Sequence, residues 1–363
     1  MIVVYLSPVN WDSIAQRPHF FADFIAEHDI EKIIWVEPLP SRFPKYSDIR
    51  TKIIGVESKS IVKHQKIDVT KVNNVVPVEP FNNIYKLING KVIKKFIIDL
   101  KERINFQDAM LVVGKPSVLS LEIINSIQFK NIIVDVMDDY PHFFKGRARK
   151  SVSNLLKELL HKADVSLFSS NGLLTKYSAF TNNAFLAMNA CSKSFYSEIK
   201  KREEEKSTSS SNTIIYGYIG SVAKWFDWGF ITKLSVSRPD ATILIVGPLY
   251  VKPDNIPENV IIKPAIEHKN IPDVIRTFTY GIIPFCIDEL TESVDPVKYY
   301  EYIAAGIPVI STNFGEMKNR VDSGLAVTLE QHLAGDEPTV EKPIFWENRF
   351  SILDEGYFCV KKF

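Results

Sequence analysis

Between Ile282 and Thr312 the chain reads IIPFCIDELTESVDPVKYYEYIAAGIPVIST, a pattern that few architectures accept. An apolar run of strand length, Ile282 to Phe285, gives way to a polar loop rich in Asp, Glu, Thr and Ser. Asp295 and Pro296 then predict a helix start. Asp caps helix N-termini well, and proline at the first helical position sacrifices no hydrogen bond. The helix carries Tyr299, Tyr300, Ile303 and Ala304 and should stop at Gly306, which suits a left-handed cap. A second apolar run, Ile307 to Thr312, begins at once. Strand, loop, helix and strand at this spacing predict a βαβ unit with two parallel, neighbouring strands.

In such a unit the helix N-terminus points at the carboxyl edge of the sheet, where ligands of open α/β sheets bind. Its free N–H groups favour an anion, phosphate above all. Lys298 in the first turn adds a full positive charge, and Glu301, three residues on, shares its helical face. A carboxylate beside a phosphate is repelled by it unless ligand hydroxyls donate to it. A ribose next to a diphosphate supplies two such hydroxyls, so the pair suits a nucleoside diphosphate. On helical spacing alone a solvated i,i+3 salt bridge between Lys298 and Glu301 is the alternative, since such pairs are common.

Pro296, Lys298, Glu301, Tyr302, Ala304, Gly306, Pro308, Val309 and Thr312 together resemble the donor-binding signature of GT-B glycosyltransferases. The likeness is strongest to the family 4-type enzymes that build bacterial capsule, teichuronic acid and O-antigen chains. It implies an α/β protein of two Rossmann-like domains facing across a cleft. By the same resemblance Lys298 is a diphosphate contact and catalytic through charge on the leaving group, Glu301 is the ribose clamp, and Pro296 belongs to the donor site. One position departs. Many relatives carry a second Glu eight residues earlier, where this chain has Ser293, with Glu292 beside it. The contact to the donor sugar is therefore where this chain differs.

A chain of 363 residues exceeds one ordinary core and suits two domains. A net charge of +1 argues against a nucleic-acid binder. Cys191, Cys286 and Cys359 are odd in number and far apart, which predicts neither a disulfide framework nor a metal cluster. No apolar run reaches the length of a membrane span, and MIVVYLSPVNW lacks the basic start of a signal peptide. The expected location is cytoplasmic, at most peripheral at the inner face of the plasma membrane.

The N-terminal part alternates strands and helices, which predicts a mostly parallel sheet covered on both faces. Expected strands lie at 2–6, 32–37, 52–56, 75–78, 110–113, 131–136 and 165–169, with a first helix from about Ile14 to Glu27. Trp11 with Gln16, Arg17, Pro18 and His19 opens that helix, and the glycosyltransferases resembled here often show a W…QRP-type pattern there. His19 is then the expected catalytic base and sugar contact, with Trp11 and Arg17 on the acceptor side, Arg17 meeting an anionic group. A satisfied histidine at a helix start is the alternative. Asp138 and Asp139 follow a strand and are further catalytic candidates, since paired carboxylates there can accept a proton or bind hydroxyls; loop capping is equally open. The stretch from Phe185 through Ser192 is read as structural.

Residues 86–103 carry six cations among apolar residues that suit one helical stripe, and 142–150 is a second basic patch with aromatics. Both are candidates for contact with an inner membrane surface bearing a lipid-linked acceptor. Helices covering the sheet with solvated lysines are the alternative for each.

Residues 200–211, charged and then serine-rich, form the expected linker between a first domain at 1–199 and a second at 212–344. The second domain opens with Thr213 to Ser221, where Gly220 would let the backbone approach a diphosphate and Ser221 could donate to it. Trp225 and Asp227 extend the resemblance. Residues 345–363 resemble a terminal segment that crosses back to the first domain. The expected activity is transfer of a sugar from a nucleotide-diphosphate donor to a growing bacterial surface glycan, with no metal or other cofactor. A sugar-nucleotide 2-epimerase of the same fold and a non-catalytic scaffold of a glycan-synthesis complex are the alternatives.

Overall fold

A computed structural model describes residues 1–39, 65–73, 75–76, 82–105, 108–205, 213–354 and 356–358. The chain divides into two compact units, Met1–Ala187 with Phe350–Phe363, and Met188–Arg349.

Among the described residues the first unit is built on a parallel sheet of seven strands. In chain order they are β1 (Ile2–Leu6), β2 (Lys32–Val36), β3 (Ile67–Thr70), β4 (Ala109–Val113), β5 (Asn131–Val136), β6 (Val165–Phe168) and β7 (Ala184–Leu186). Their order across the sheet is β3-β2-β1-β4-β5-β6-β7. The central strands β1 (Ile-Val-Val-Tyr-Leu) and β4 (Ala-Met-Leu-Val-Val) are continuous apolar runs, buried throughout. Such runs belong to a sheet covered on both faces. The first helix is Arg17–Ala26 and starts later than the apolar pattern suggested, leaving Ile14 exposed.

Three expectations in this unit meet the structure differently. The strand expected at 52–56 lies outside the described residues. At 75–78, only Val75 and Val76 are described; they are not in a strand, and Asn89 holds Val76 by accepting from its N–H and donating to its carbonyl. Among the described residues the strand at this margin of the sheet is Ile67–Thr70, whose Ile-Asp-Val-Thr alternation is half exposed. A search for continuous apolar runs passes over it.

The second unit has a parallel sheet of five strands: β8 (Ile215–Ile219), β9 (Thr242–Val246), β10 (Val260–Lys263), β11 (Tyr280–Ile283) and β12 (Val309–Ser311), in the order β10-β9-β8-β11-β12. The expected βαβ unit is present. β11 and β12 are parallel neighbours, Gly281 opposite Val309 and Ile283 opposite Ser311, with the helix Val297–Ala304 between them in sequence. The chain moves outward from β8 to β9 and β10, then returns to the far side of β8 for β11. That reversal opens a crevice at the carboxyl ends of β8 and β11.

The boundaries of the expected linker change. Lys193–Glu205 is one helix, and its Phe195 and Ile199 are buried in the core of the second unit with Tyr216, Ile231 and Ile275. Those two apolar residues anchor a segment whose later charges look like linker, so 200–205 is helical; 206–211 lies outside the described residues. At the other end, Phe350 stacks on Phe21 at 4.5 Å, and Phe358 lies edge-on to Phe24 and 4.9 Å from the His28 ring. Asp354 accepts a hydrogen bond from His28 Nε2 at 3.0 Å. The chain thus leaves the first unit at Ala187 and rejoins it at Phe350.

Candidate functional site

Two of the second unit's positive-φ glycines stand at the crevice. Gly220 follows β8 with φ 145° and Gly247 follows β9 with φ 150°. A Cβ at Gly247 would stand 2.1 Å from the Gly220 carbonyl oxygen, so the two turns pack backbone on backbone. A Cβ at Gly220 would stand 2.4 Å from Lys298 Cε and 2.8 Å from Nζ. Only glycine leaves room for that lysine. Ser221, half-buried, accepts a hydrogen bond from Tyr218 Oη through its carbonyl.

Lys298 and Glu301 project from the first and second turns of Val297–Ala304. The ammonium lies 5.4 Å from the Tyr218 ring centroid and 5.5 Å from that of Phe285. Burial lowers the Lys298 pKa from the usual lysine value, with Glu301 pulling it back up. Burial pushes the Glu301 carboxyl up to about 7, against the attraction of Lys298. Among the described residues neither side chain has a hydrogen bond or an ion pair, so the i,i+3 salt bridge is not formed. An ammonium and a carboxyl group are thus both partly desolvated and both unpaired. That arrangement is costly for a folded chain unless a ligand completes it.

Asp295 does not cap the helix. Pro296, buried, occupies the N-cap position. The Asp295 carboxylate turns inward and accepts from Arg320 Nη2 at 2.6 Å, Tyr300 Oη at 2.9 Å and the Asn189 N–H at 2.7 Å. Arg320 lies 4.0 Å from the Tyr299 ring centroid, and Arg349 donates to Tyr300 Oη and the Asn189 carbonyl. This buried hub clamps the residue just before the helix. Sequence reasoning missed it, because Asp295 and Arg320 are 25 positions apart and no spacing rule joins them. Glu292 is exposed and Ser293 half-buried in the loop before the hub. That loop is shaped by Thr291 Oγ1, which donates to the Cys286 carbonyl, and by Asp288 Oδ1, which accepts from the Leu290 and Thr291 N–H groups.

The first unit treats its charged residues differently. Arg17 does not wait for an anion. Its Nη2 and Nε donate to the buried Asp135 carboxylate at 2.7 and 3.0 Å, and Nη1 donates to the Ala187 carbonyl. His19 is buried with both ring nitrogens engaged. Nδ1 accepts from the Gln16 N–H at 3.1 Å, so Nε2 carries the proton and donates to the Trp11 carbonyl at 3.1 Å. Trp11, also buried, packs on His19 and Trp35. Burial lowers the His19 pKa. A general base needs a free lone pair, and His19 has none, so the structure corrects the catalytic expectation: this histidine holds the loop to the helix start.

The two aspartates separate. Asp139 is buried and saturated: Tyr177 Oη donates to it at 2.7 Å, Lys176 Nζ lies at 2.5 Å and His142 Nδ1 at 2.6 Å. Asp138 is half-buried, its carboxyl group without a hydrogen-bond partner among the described residues, and burial pushes its pKa up to about 7. Of the acceptor-side candidates, it alone keeps a titratable oxygen available. The described residues contain no group of three His, Cys, Asp or Glu that could hold a metal ion.

No protein-family model matches the chain. A curated relative, the Bacillus subtilis (strain 168) protein named "Putative teichuronic acid biosynthesis glycosyltransferase TuaH", is 22% identical over 335 residues, covering 86% of this chain and 81% of its own length. Anabaena HepE, solved with UDP, superposes with a TM-score of 0.57 at 11% identity, over 90% of this chain and 84% of its own. Sucrose-phosphate synthase from Thermosynechococcus elongatus gives 0.61 at 10% identity, over 97% and 89%. The fold is GT-B. The UDP-GlcNAc 2-epimerase of Neisseria meningitidis shares it, with a TM-score of 0.51 at 13% identity over 97% of this chain and 98% of its own. A GT-B fold therefore does not by itself separate transfer from epimerisation.

Proposed function

We propose that the chain transfers a sugar from a nucleotide-diphosphate donor to a bacterial surface glycan. One observation carries the reading: the half-buried Lys298 and Glu301 side chains stand without a hydrogen bond or ion pair at the crevice between β8 and β11, beside the glycine turn at Gly220. A nucleoside diphosphate completes both groups at once. Its phosphate oxygens accept from Lys298 and the helix N-terminus, and its ribose hydroxyls donate to Glu301. As the bond to the sugar breaks, charge gathers on the diphosphate, and the same lysine and helix dipole stabilise it without a metal. Ser221 donates to the diphosphate, and Asp138, rather than His19 or Asp139, is the residue that takes the acceptor proton.

The TuaH relative's name supports a teichuronic-type glycan as the acceptor, and the proposal extends to glycans of the capsule or O-antigen type. Peripheral contact with the inner membrane face belongs to the same reading. No described helix is long and apolar enough to cross a membrane. The helix Asn82–Arg103 buries Tyr85, Ile93, Ile97 and Leu100 yet leaves Ile84, Leu87, Ile88 and Ile98 exposed among its lysines, so its apolar residues serve two faces rather than one. An exposed apolar face ringed by lysines suits an anionic bilayer.

Calorimetry with UDP, GDP and dTDP, followed by donor screening with mass detection of product, tests the proposal. Binding of one nucleotide and glycan extension support it. Epimerisation of the sugar nucleotide without acceptor would replace it with the epimerase reading. Failure of all three nucleotides to bind would leave a scaffold.

A further inference from the structure

A cavity of about 450 Å³ opens on the first unit, lined by Arg149, Lys150, Ser153, Asn154 and Lys157 of the helix Gly146–Lys162 and by Lys176 of the helix Asn171–Tyr177. Four cations line it, and no carboxylate does. Asp139 sits beneath and holds Lys176 and Tyr177 in place at 2.5 and 2.7 Å. Lys157 rests on the Phe180 ring, 4.3 Å from its centroid, and Arg149 reaches His142. Asp139 and Phe180 fix where Lys176 and Lys157 stand, and each of these ammoniums, carrying three N–H donors, keeps some for a ligand.

The helix end beside the cavity breaks a local rule. Positive helix N-termini attract acidic side chains. Here the first turn has no acidic residue and carries Arg147 and Arg149, the N-cap is Lys145 with no capping hydrogen bond from its side chain, and Gly146 itself lines the cavity. Like charges are thus gathered on the positive end of a dipole. An anion seated in the cavity would relieve that repulsion and collect donors from both helices. Charge-assisted N–H donors around a concave site suit the several oxygens of a phosphate better than one carboxylate.

We propose that this cavity is a phosphate-binding site, separate from the nucleotide site of the second unit, and that its ligand is the phosphate of an anionic lipid headgroup or of a soluble diphosphate. The assignment does not depend on the transferase reading. Because inorganic pyrophosphate would also engage Lys298, the test uses the full chain with Lys298→Ala as background. To it are added either Lys150→Glu with Lys157→Glu, or a control pair of equal charge change outside the cavity, Lys130→Glu with Lys201→Glu. Each protein is titrated with inorganic pyrophosphate by calorimetry. Each is also sedimented with phosphatidylcholine vesicles made with and without phosphatidylglycerol. The cavity pair should weaken one of these interactions roughly tenfold or more, and the control pair far less. Loss confined to pyrophosphate identifies a soluble ligand, and loss confined to phosphatidylglycerol vesicles identifies a headgroup. Lys150→Gln with Lys157→Gln, which removes charge without reversing it, should give a smaller loss of the same sign and covers a failure of the glutamate pair to fold. Equal losses in cavity and control pairs, or no binding of either probe by the parent protein, would overturn the site.

Discussion

Both sheets reverse direction once, and both carry charged residues beyond the carboxyl ends of their strands, yet the two units handle those charges in opposite ways. In the first, Arg17 and Asp135 neutralise one another in the core, Asp139 is saturated by three neighbours, and His19 spends both nitrogens on backbone. In the second, Lys298 and Glu301 share a helical face and remain unpaired. A charge completed by its own chain belongs to the fold. One left incomplete after desolvation points to a ligand. Asp138 is the exception in the first unit, and for that reason it is the acceptor-side candidate.

The sharpest way to break this contrast is to remove one charge from each unit. Arg17→Ala leaves Asp135 buried without its cation and should cost about 3–5 kcal/mol of stability, read as a lowered urea midpoint. A small shift would mean that the pair is less structural than its geometry implies. Lys298→Ala should do the reverse. Turnover should fall roughly 10²–10³-fold while the stability read from urea unfolding stays within about 0.5 kcal/mol of the parent. A loss confined to KM would make Lys298 a ground-state anchor only.

The aspartates give the next comparison. Asp139→Asn should destabilise by about 1–3 kcal/mol, because its donors lose a charged acceptor. Asp138→Asn should leave the melting temperature unchanged and lower transfer. Equal destabilisation by both would remove the distinction drawn between them.

The smallest effect concerns pH. The folded-state pKa of Glu301 is raised to about 7, whereas an unfolded glutamate titrates near pH 4.3. Between those values the folded state holds a proton that the unfolded state has lost, so stability falls as pH rises through this window. Glu301→Gln should flatten that fall. Ribose hydroxyls donate to the ionised form, so nucleotide binding should tighten between pH 6 and 8 more in the parent than in Glu301→Gln, by roughly tenfold at most. Identical calorimetric pH profiles would detach Glu301 from the ribose.

What was legible in the sequence followed a period or a breaker. The apolar runs on either side of Pro296 and Gly306 identified β11, the helix and β12, and their parallel pairing follows from the short distance between them. Lys298 and Glu301 were legible because helical spacing puts them on one face. Edge strand Ile67–Thr70 was not, since half-exposed strands at a sheet margin need no apolar run. The partners of Asp295, Arg17 and Asp139 were illegible for another reason. Arg320 lies 25 positions from Asp295, Tyr177 38 from Asp139 and Asp135 118 from Arg17, and only the closed chain decides which carboxylate a given arginine or tyrosine meets. His19 shows the limit from the other side: its type and place suggested chemistry, but the hydrogen bonds that occupy it come from the backbone.

The return of the chain at Phe350 has a consequence for biosynthesis. Phe21, Phe24 and His28 leave a ribosome well before their partners Phe350, Asp354 and Phe358, which lie more than 300 residues downstream. At about 5–20 residues per second, that aromatic face waits roughly 15–65 s for its cover. During this interval the nascent first unit exposes sticky surface while the whole second unit is being made. A chaperone that shields aromatic patches would find its substrate here, and release from it would coincide with arrival of the closing segment.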